Sequence, residues 1–92
     1  MANIYEEMAE KIISKQETII GPLALDRAKS VSGIKISGEG AVQIEGEPIK
    51  AIDGLISMYE QLFGDLSVQV CKDAVGSHIQ NLKSEEIPSL LR

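Results

Sequence analysis

Cys71 and His78 are the one cysteine and the one histidine of the chain, and a thiol beside an imidazole is the first pair to weigh for nucleophilic chemistry. The imidazole would have to take the thiol proton, which needs hydrogen-bond reach, near ~3 Å. Spaced seven apart on a helix, the two share a face but stand about 10 Å apart along its axis. Within one continuous helix they form no dyad. Across a symmetric dimer they could meet the partner's copies and hold a metal, and that arrangement is carried as an alternative. The plainer expectation makes Cys71 a small core residue and places His78 at the core's edge.

The stretch SGIKISGEGAVQIEGEP, residues 32–48, invites a phosphate-loop reading. Such loops converge backbone N–H groups on an anion, usually with a lysine or a helix N-terminus. Gly38 and Gly40 are followed by Gln43 where a dinucleotide fingerprint needs its third glycine. Glu39, Glu45 and Glu47 would repel an anion. Their spacing does not match a calcium loop either, so a solvated acidic rim is expected. Gly38-Glu39-Gly40 is read as a turn, since glycine accepts positive φ at tight corners. The sequence has no G-x-S-x-G or H-E-x-x-H, and Glu85-Glu86 reads as a solvated pair near a chain end. The expectation is therefore a protein that is not an enzyme and has no catalytic, metal or cofactor residues.

The elements that must carry these residues are short. Ninety-two residues make one small domain, 1–92, whose tail, 83–92, is expected to be partly flexible. A chain of this size buries roughly 60–65% of its unfolded surface, a marginal core, and one cysteine allows no internal disulfide. The net charge is −5, with lysine and arginine scattered singly. Nucleic acid needs a basic stripe to displace its counterions, so neither nucleic acid nor an anionic membrane is an expected partner. MANIYEEMAEK lacks the apolar run of a signal peptide, and a lone cysteine fits a reducing cytoplasm.

Residues 3–20 read as a helix with Asn3 as cap, Glu6 completing a capping box, and Tyr5, Met8, Ile12, Ile13, Ile19 and Ile20 at helical spacing. Gly21-Pro22 ends it, and Pro22 opens a short helix over 22–31. The period then changes from 3.6 to 2. Ile34 and Ile36, then Val42 and Ile44, alternate with polar residues, as in a β-hairpin with one buried face. Residues 47–63 return to the helical period with a wide apolar stripe from Ile49 to Phe63. Residues 66–82 read as a fourth helix capped by Asp65, although LSVQV at 66–70 alternates like a strand, and that second possibility stays open. Gly54 and Gly76 fall inside helices at a cost of roughly 1 kcal/mol each against alanine. Either they lie on exposed faces or another backbone approaches them closely.

The fold expected is α+β, ordered α-α-β-β-α-α, with one central hairpin packed on helices. A lone two-stranded hairpin is barely stable in water and leaves two edges unpaired. A second copy would complete it to a four-stranded antiparallel sheet, so a homodimer is expected. The function expected is a small acidic protein-interaction or regulatory module. Its interface candidates are Ile34, Ile36, Val42, Ile44 and Gly54, with Ile87, Leu90 and Leu91 as an apolar tail that docks. A small-molecule sensor holding its ligand between helix 47–63 and the hairpin is the other alternative.

Overall fold

The hairpin expected at 34–44 forms, and four helices surround it. The computed structural model describes residues 4–37, 41–88 and Leu91. Asn3, the Gly38-Glu39-Gly40 turn and Leu90 lie outside the described residues. The architecture is α+β in the expected order: α1 (Ile4–Ile20), α2 (Leu23–Ala28), β1 (Ile34–Ile36), β2 (Val42–Ile44), α3 (Pro48–Phe63) and α4 (Asp65–Ile79). A 3₁₀ turn, Ser84–Glu86, follows. No helix among the described residues is long and apolar enough to cross a membrane.

α1 is the central element, touching α2, α3, α4 and β2. Glu6 and Glu7 lie in its first turn, where the helix dipole favours negative charge. Its buried face is Met8, Ala9, Ile12, Ile13 and Gln16. The expected stripe is therefore interrupted at its C-terminal end. Gln16 is buried, whereas Ile19 is turned to solvent. α3 contributes Ala51, Ile52, Leu55, Ile56 and Tyr59 to the same core, the i, i+3, i+4 pattern of a wide apolar stripe. Pro48 starts α3, where a missing N–H costs nothing.

Residues 66–70 are helical. Ser67, Cys71 and Val75 are the buried residues of α4, spaced four apart along one face, so the helical period overrides the alternation of LSVQV. α3 and α4 are separated by Gly64 alone. Its φ of +85° lies where side chains are disfavoured, its N–H donates to Glu60 C=O at 2.7 Å, and its C=O accepts from Ser67 N–H at 3.0 Å. One residue thus ends one helix and starts the next.

The strands pair antiparallel with Ile34 opposite Ile44, Lys35 opposite Gln43 and Ile36 opposite Val42. Ile34 and Val42 are buried, Ile36 and Ile44 half-buried, and Lys35 and Gln43 exposed. One face of the hairpin therefore packs on the core while the other meets water. Gly33, at φ +87°, leads into β1 and accepts a hydrogen bond from Glu45 N–H at 2.8 Å. A Cβ there would lie 2.9 Å from Glu45 O.

Gly54 and Gly76 separate cleanly. At Gly54 the nearest atom to an added Cβ is Val31 Cγ1, at 3.3 Å, a side chain and not the backbone that close approach would imply. At Gly76 nothing lies within 4 Å. Gly76→Ala is therefore expected to stabilise by about 0.5–1 kcal/mol through helix propensity. Gly33→Ala is expected to destabilise by about 1–3 kcal/mol through backbone strain and the clash. Urea unfolding followed by circular dichroism checks both signs.

Candidate interaction surfaces

The register leaves the N–H groups of Val42 and Ile44 pointing away from β1, because both belong to pairs that exchange no hydrogen bonds within the hairpin. α1 receives them. Ile44 N–H donates to Glu6 Oε2 at 2.9 Å, and Val42 N–H donates to Glu10 Oε1 at 3.2 Å. Glu6 and Glu10 stand one helical turn apart, matching the two-residue repeat of the strand's outward N–H groups. The carboxylates take the place of a neighbouring strand's carbonyls. An open groove of about 380 Å³, lined by both glutamates and residues 41–45, runs alongside.

This arrangement changes where a second copy could pair. Both edges of the hairpin are expected to be open to a twin, but the outward donors of β2 are used within the chain. β1 retains the outward groups of Ile34 and Ile36, apart from Ile34 N–H, which donates to Val31 C=O at 3.1 Å. The side chains of Ile34, Ile36, Val42 and Ile44 point into the core cluster or pack against it.

The other interface candidates are placed as follows. Gly54 is half-exposed, beside Val31. Ile87 packs against the core and Leu91 is buried within it, with Pro88 fully buried between them. Tyr5 O–H donates to Glu86 C=O at 2.8 Å, and Lys83 N–H donates to Glu86 Oε1 at 2.8 Å. The described apolar groups of this tail are thus engaged within the chain. Burial raises the Tyr5 phenol above its ordinary value, and the Glu86 charge adds to the shift.

Cys71 is fully buried, and Gln16 Nε2 lies 3.6 Å from its sulfur and donates to Ser67 C=O at 3.2 Å. Burial pushes the thiol up to about 11, with the Gln16 contact pulling the other way. A buried, protonated thiol is a weak nucleophile and a weak metal ligand. His78 is two turns further along α4, with Nε2 3.9 Å from Glu7 Oε2 and a buried Nδ1 that has no partner among the described residues. The structure does not bring the pair together, and Cys71 lies too deep to meet a partner's copy. Among the described residues no three His, Cys, Asp or Glu side chains form a group able to hold a metal. Tyr59 is buried too. Its O–H donates to Ala24 C=O at 2.7 Å, and burial first, then the Cys71 and Glu17 charges, raise its phenol far above the ordinary value. Between the start of α3 and the hairpin, the place of the ligand in the alternative sensor reading, there is an open groove of about 380 Å³ lined by residues such as Val31, Glu45, Lys50 and Gly54.

A different surface stands out at one end of the helices. The contacts Gln16–Ser67 and Glu7–His78 show that α1 and α4 run antiparallel, so the end of α1 meets the start of α4. The Tyr59–Ala24 bond sets the last turn of α3 beside the start of α2. Leu66 is 74% exposed, Ile19 58%, Leu62 47% and Leu23 41%, all at this end. Of these, Ile19 and Leu66 line a cleft of about 120 Å³ together with Ile20, Phe63 and Val70, with Gln16 and Ser67 also on its wall, while Leu23 borders a separate groove with Pro22, Leu25, Asp26 and Lys29. The apolar period marks Ile19 and Leu62 as core residues. They face water because they fall in the last turns of α1 and α3, beyond which no described element covers them. Glu10 carried no signal in the sequence beyond its spacing of four from Glu6.

No family model, curated protein or solved structure matches the chain.

Glu6→Ala and Glu10→Ala are each expected to cost about 1 kcal/mol and to speed hydrogen exchange at Ile44 and Val42 respectively. Two-dimensional NMR with chemical denaturation reads both quantities. A second expectation concerns alkaline pH. The native Cys71 thiol keeps its proton to a higher pH than the unfolded thiol, whose ordinary value is 9.0. Its contribution is therefore complete below about pH 9 and declines as pH rises toward about 11. Urea midpoints from pH 8 to 10 should fall more steeply for the parent chain than for Cys71→Ala.

Proposed function

We propose that the chain is a non-enzymatic protein-interaction module that docks its partner on the apolar end formed by Ile19, Leu23, Leu62 and Leu66. The observation that carries this is the concentration of exposed aliphatic side chains at one end of the helices, two of which, Ile19 and Leu66, wall a cleft. Contiguous exposed apolar surface on a small acidic chain is costly in water and marks contact sites. The cleft supplies the anchor pocket that interfaces commonly use. The chemistry-bearing groups are dispersed, with Cys71 in the core and His78 at its edge, which favours binding over catalysis.

Leu66→Asp is the test, because Leu66 is the most exposed of the four. From native lysate, the parent chain should retain a partner that Leu66→Asp loses, while Glu85→Lys, on the 3₁₀ turn, retains it. Identical sets of captured proteins for all three would overturn the proposal, provided their thermal melts agree.

Self-association is the second reading, favoured by the outward backbone groups of Ile36 on β1. A two-fold pairing of β1 with its copy would extend the hairpin to four strands while leaving Glu6 and Glu10 in place. Light scattering on a size-exclusion column reads this directly, and a single 10.0 kDa species at micromolar concentration would end it.

A further inference from the structure

The interaction reading leaves the partner's chemistry open, and the charges around the apolar end narrow it. Two helices finish here, α1 and α3, and neither has a basic residue in its last turn. A helix C-terminus carries about half a negative charge and ordinarily attracts lysine or arginine. Here the last turns carry Glu17 and Glu60 instead, and Asp65 begins α4 beside Leu66. Asp26 lies one turn beyond Leu23. Three cations are near, Lys15 one turn before Ile19, Arg27 one turn beyond Leu23, and Lys29 in the groove that Leu23 and Asp26 line, against the four acids Glu17, Asp26, Glu60 and Asp65. The positive N-termini of α4 and of the short α2 also lie at this end and oppose the two negative helix ends, so the charge of the rim comes from its acidic side chains. The face is apolar at its centre and negative at its rim.

The cleft gives the scale of the anchor. About 120 Å³ is the room of roughly four water molecules, or of one branched aliphatic or thioether side chain. Its lining is mostly aliphatic and aromatic, so an apolar group gains more there than water does. A second copy of this chain would present aliphatic groups too, but a two-fold contact would bring the acids of one rim toward the acids of the other. Like charges held together at an interface disfavour that pairing.

We propose, resting on the interaction reading above, that the occupant of this end is a basic amphipathic helix of another protein, which inserts one aliphatic or methionine side chain into the cleft and sets lysine or arginine against Glu17, Glu60 and Asp65. Helix-in-groove recognition of this kind reads an apolar stripe for affinity and flanking charge for selection. The protein's own net charge of −5 steers such a cation-bearing segment toward it and falls away with added salt.

Two synthetic peptides of about 14 residues test it, with one leucine stripe in common and either lysine or glutamate on the polar face. Backbone NMR shifts of the full chain locate the binding, and titration gives affinity. The lysine peptide should shift the amides of Ile19, Leu23, Leu62, Leu66 and Val70. The glutamate peptide should bind about tenfold more weakly or worse. Replacing Glu17, Glu60 and Asp65 with their amides should erase most of that preference, and Leu66→Asp should abolish binding at this end. If both peptides bind here equally well, the apolar docking face stands and the basic partner falls. If neither shifts these amides, both fall. Lysine-peptide binding that survives Leu66→Asp unchanged is electrostatic adhesion and overturns the proposal. Shifts of the same amides on raising protein concentration without peptide would make a second copy the occupant, which also overturns it.

Discussion

A two-stranded hairpin has outward backbone donors and acceptors on both sides, and water alone supports it poorly. In this protein the donors of one side are bound by two carboxylates from α1. Glu6 and Glu10 accept the N–H groups of Ile44 and Val42, and the rest of the structure follows from that attachment. It fixes the distance and rotation of the hairpin relative to α1. It brings the Ile34–Ile36–Val42–Ile44 face onto the core, and it places the pair against a helix that also touches α2, α3 and α4. The spacing works because one helical turn covers about 5.4 Å and two strand residues about 6.6–6.8 Å, close enough for flexible carboxylates to span.

The interior uses polar groups in the same economical way. Gln16 occupies a position on α1 where the pattern would place an aliphatic residue, and its amide reaches Ser67 C=O and the Cys71 sulfur. Tyr59 ends on the carbonyl of Ala24, and Tyr5 on that of Glu86. Each buried or part-buried donor ties two elements distant in the chain, so the polar bonds specify which helices meet while aliphatic packing supplies the driving force. Burial raises the Cys71 thiol, and the Gln16 contact pulls it the other way.

Small size leaves one end of the structure unfinished. With ninety-two residues, the helices that pack around α1 leave the last turns of α1 and α3 uncovered, and Ile19, Leu62, Leu66 and Leu23 remain in water. The last turns around them carry Glu17 and Glu60 and no basic residue. The hairpin expected to be the incomplete part is anchored within the chain along β2, while the helical end expected to be closed is the more exposed.

Periodicity together with glycine and proline was enough to determine the element order, the change from helical to alternating pattern at Ile34, the helix break at Gly21 and the stop at Gly64, because each is set by local sterics and by which side chains avoid water. It also placed Ile52, Leu55, Ile56 and Tyr59 on the inner stripe of α3 and Cys71 in the core, but missed Ala51 and Ser67. The helical state of 66–70 needed tertiary structure, since LSVQV suits a strand locally and only packing of Ser67, Cys71 and Val75 against α1 selects the helix. So did the roles of Glu6, Glu10 and Gln16, and the outward turn of Ile19 and Leu62. A local pattern records how apolar a position is. Which neighbour covers that position, and which backbone group a polar side chain meets, depends on contacts between residues tens of positions apart, and these exist only once the chain has folded.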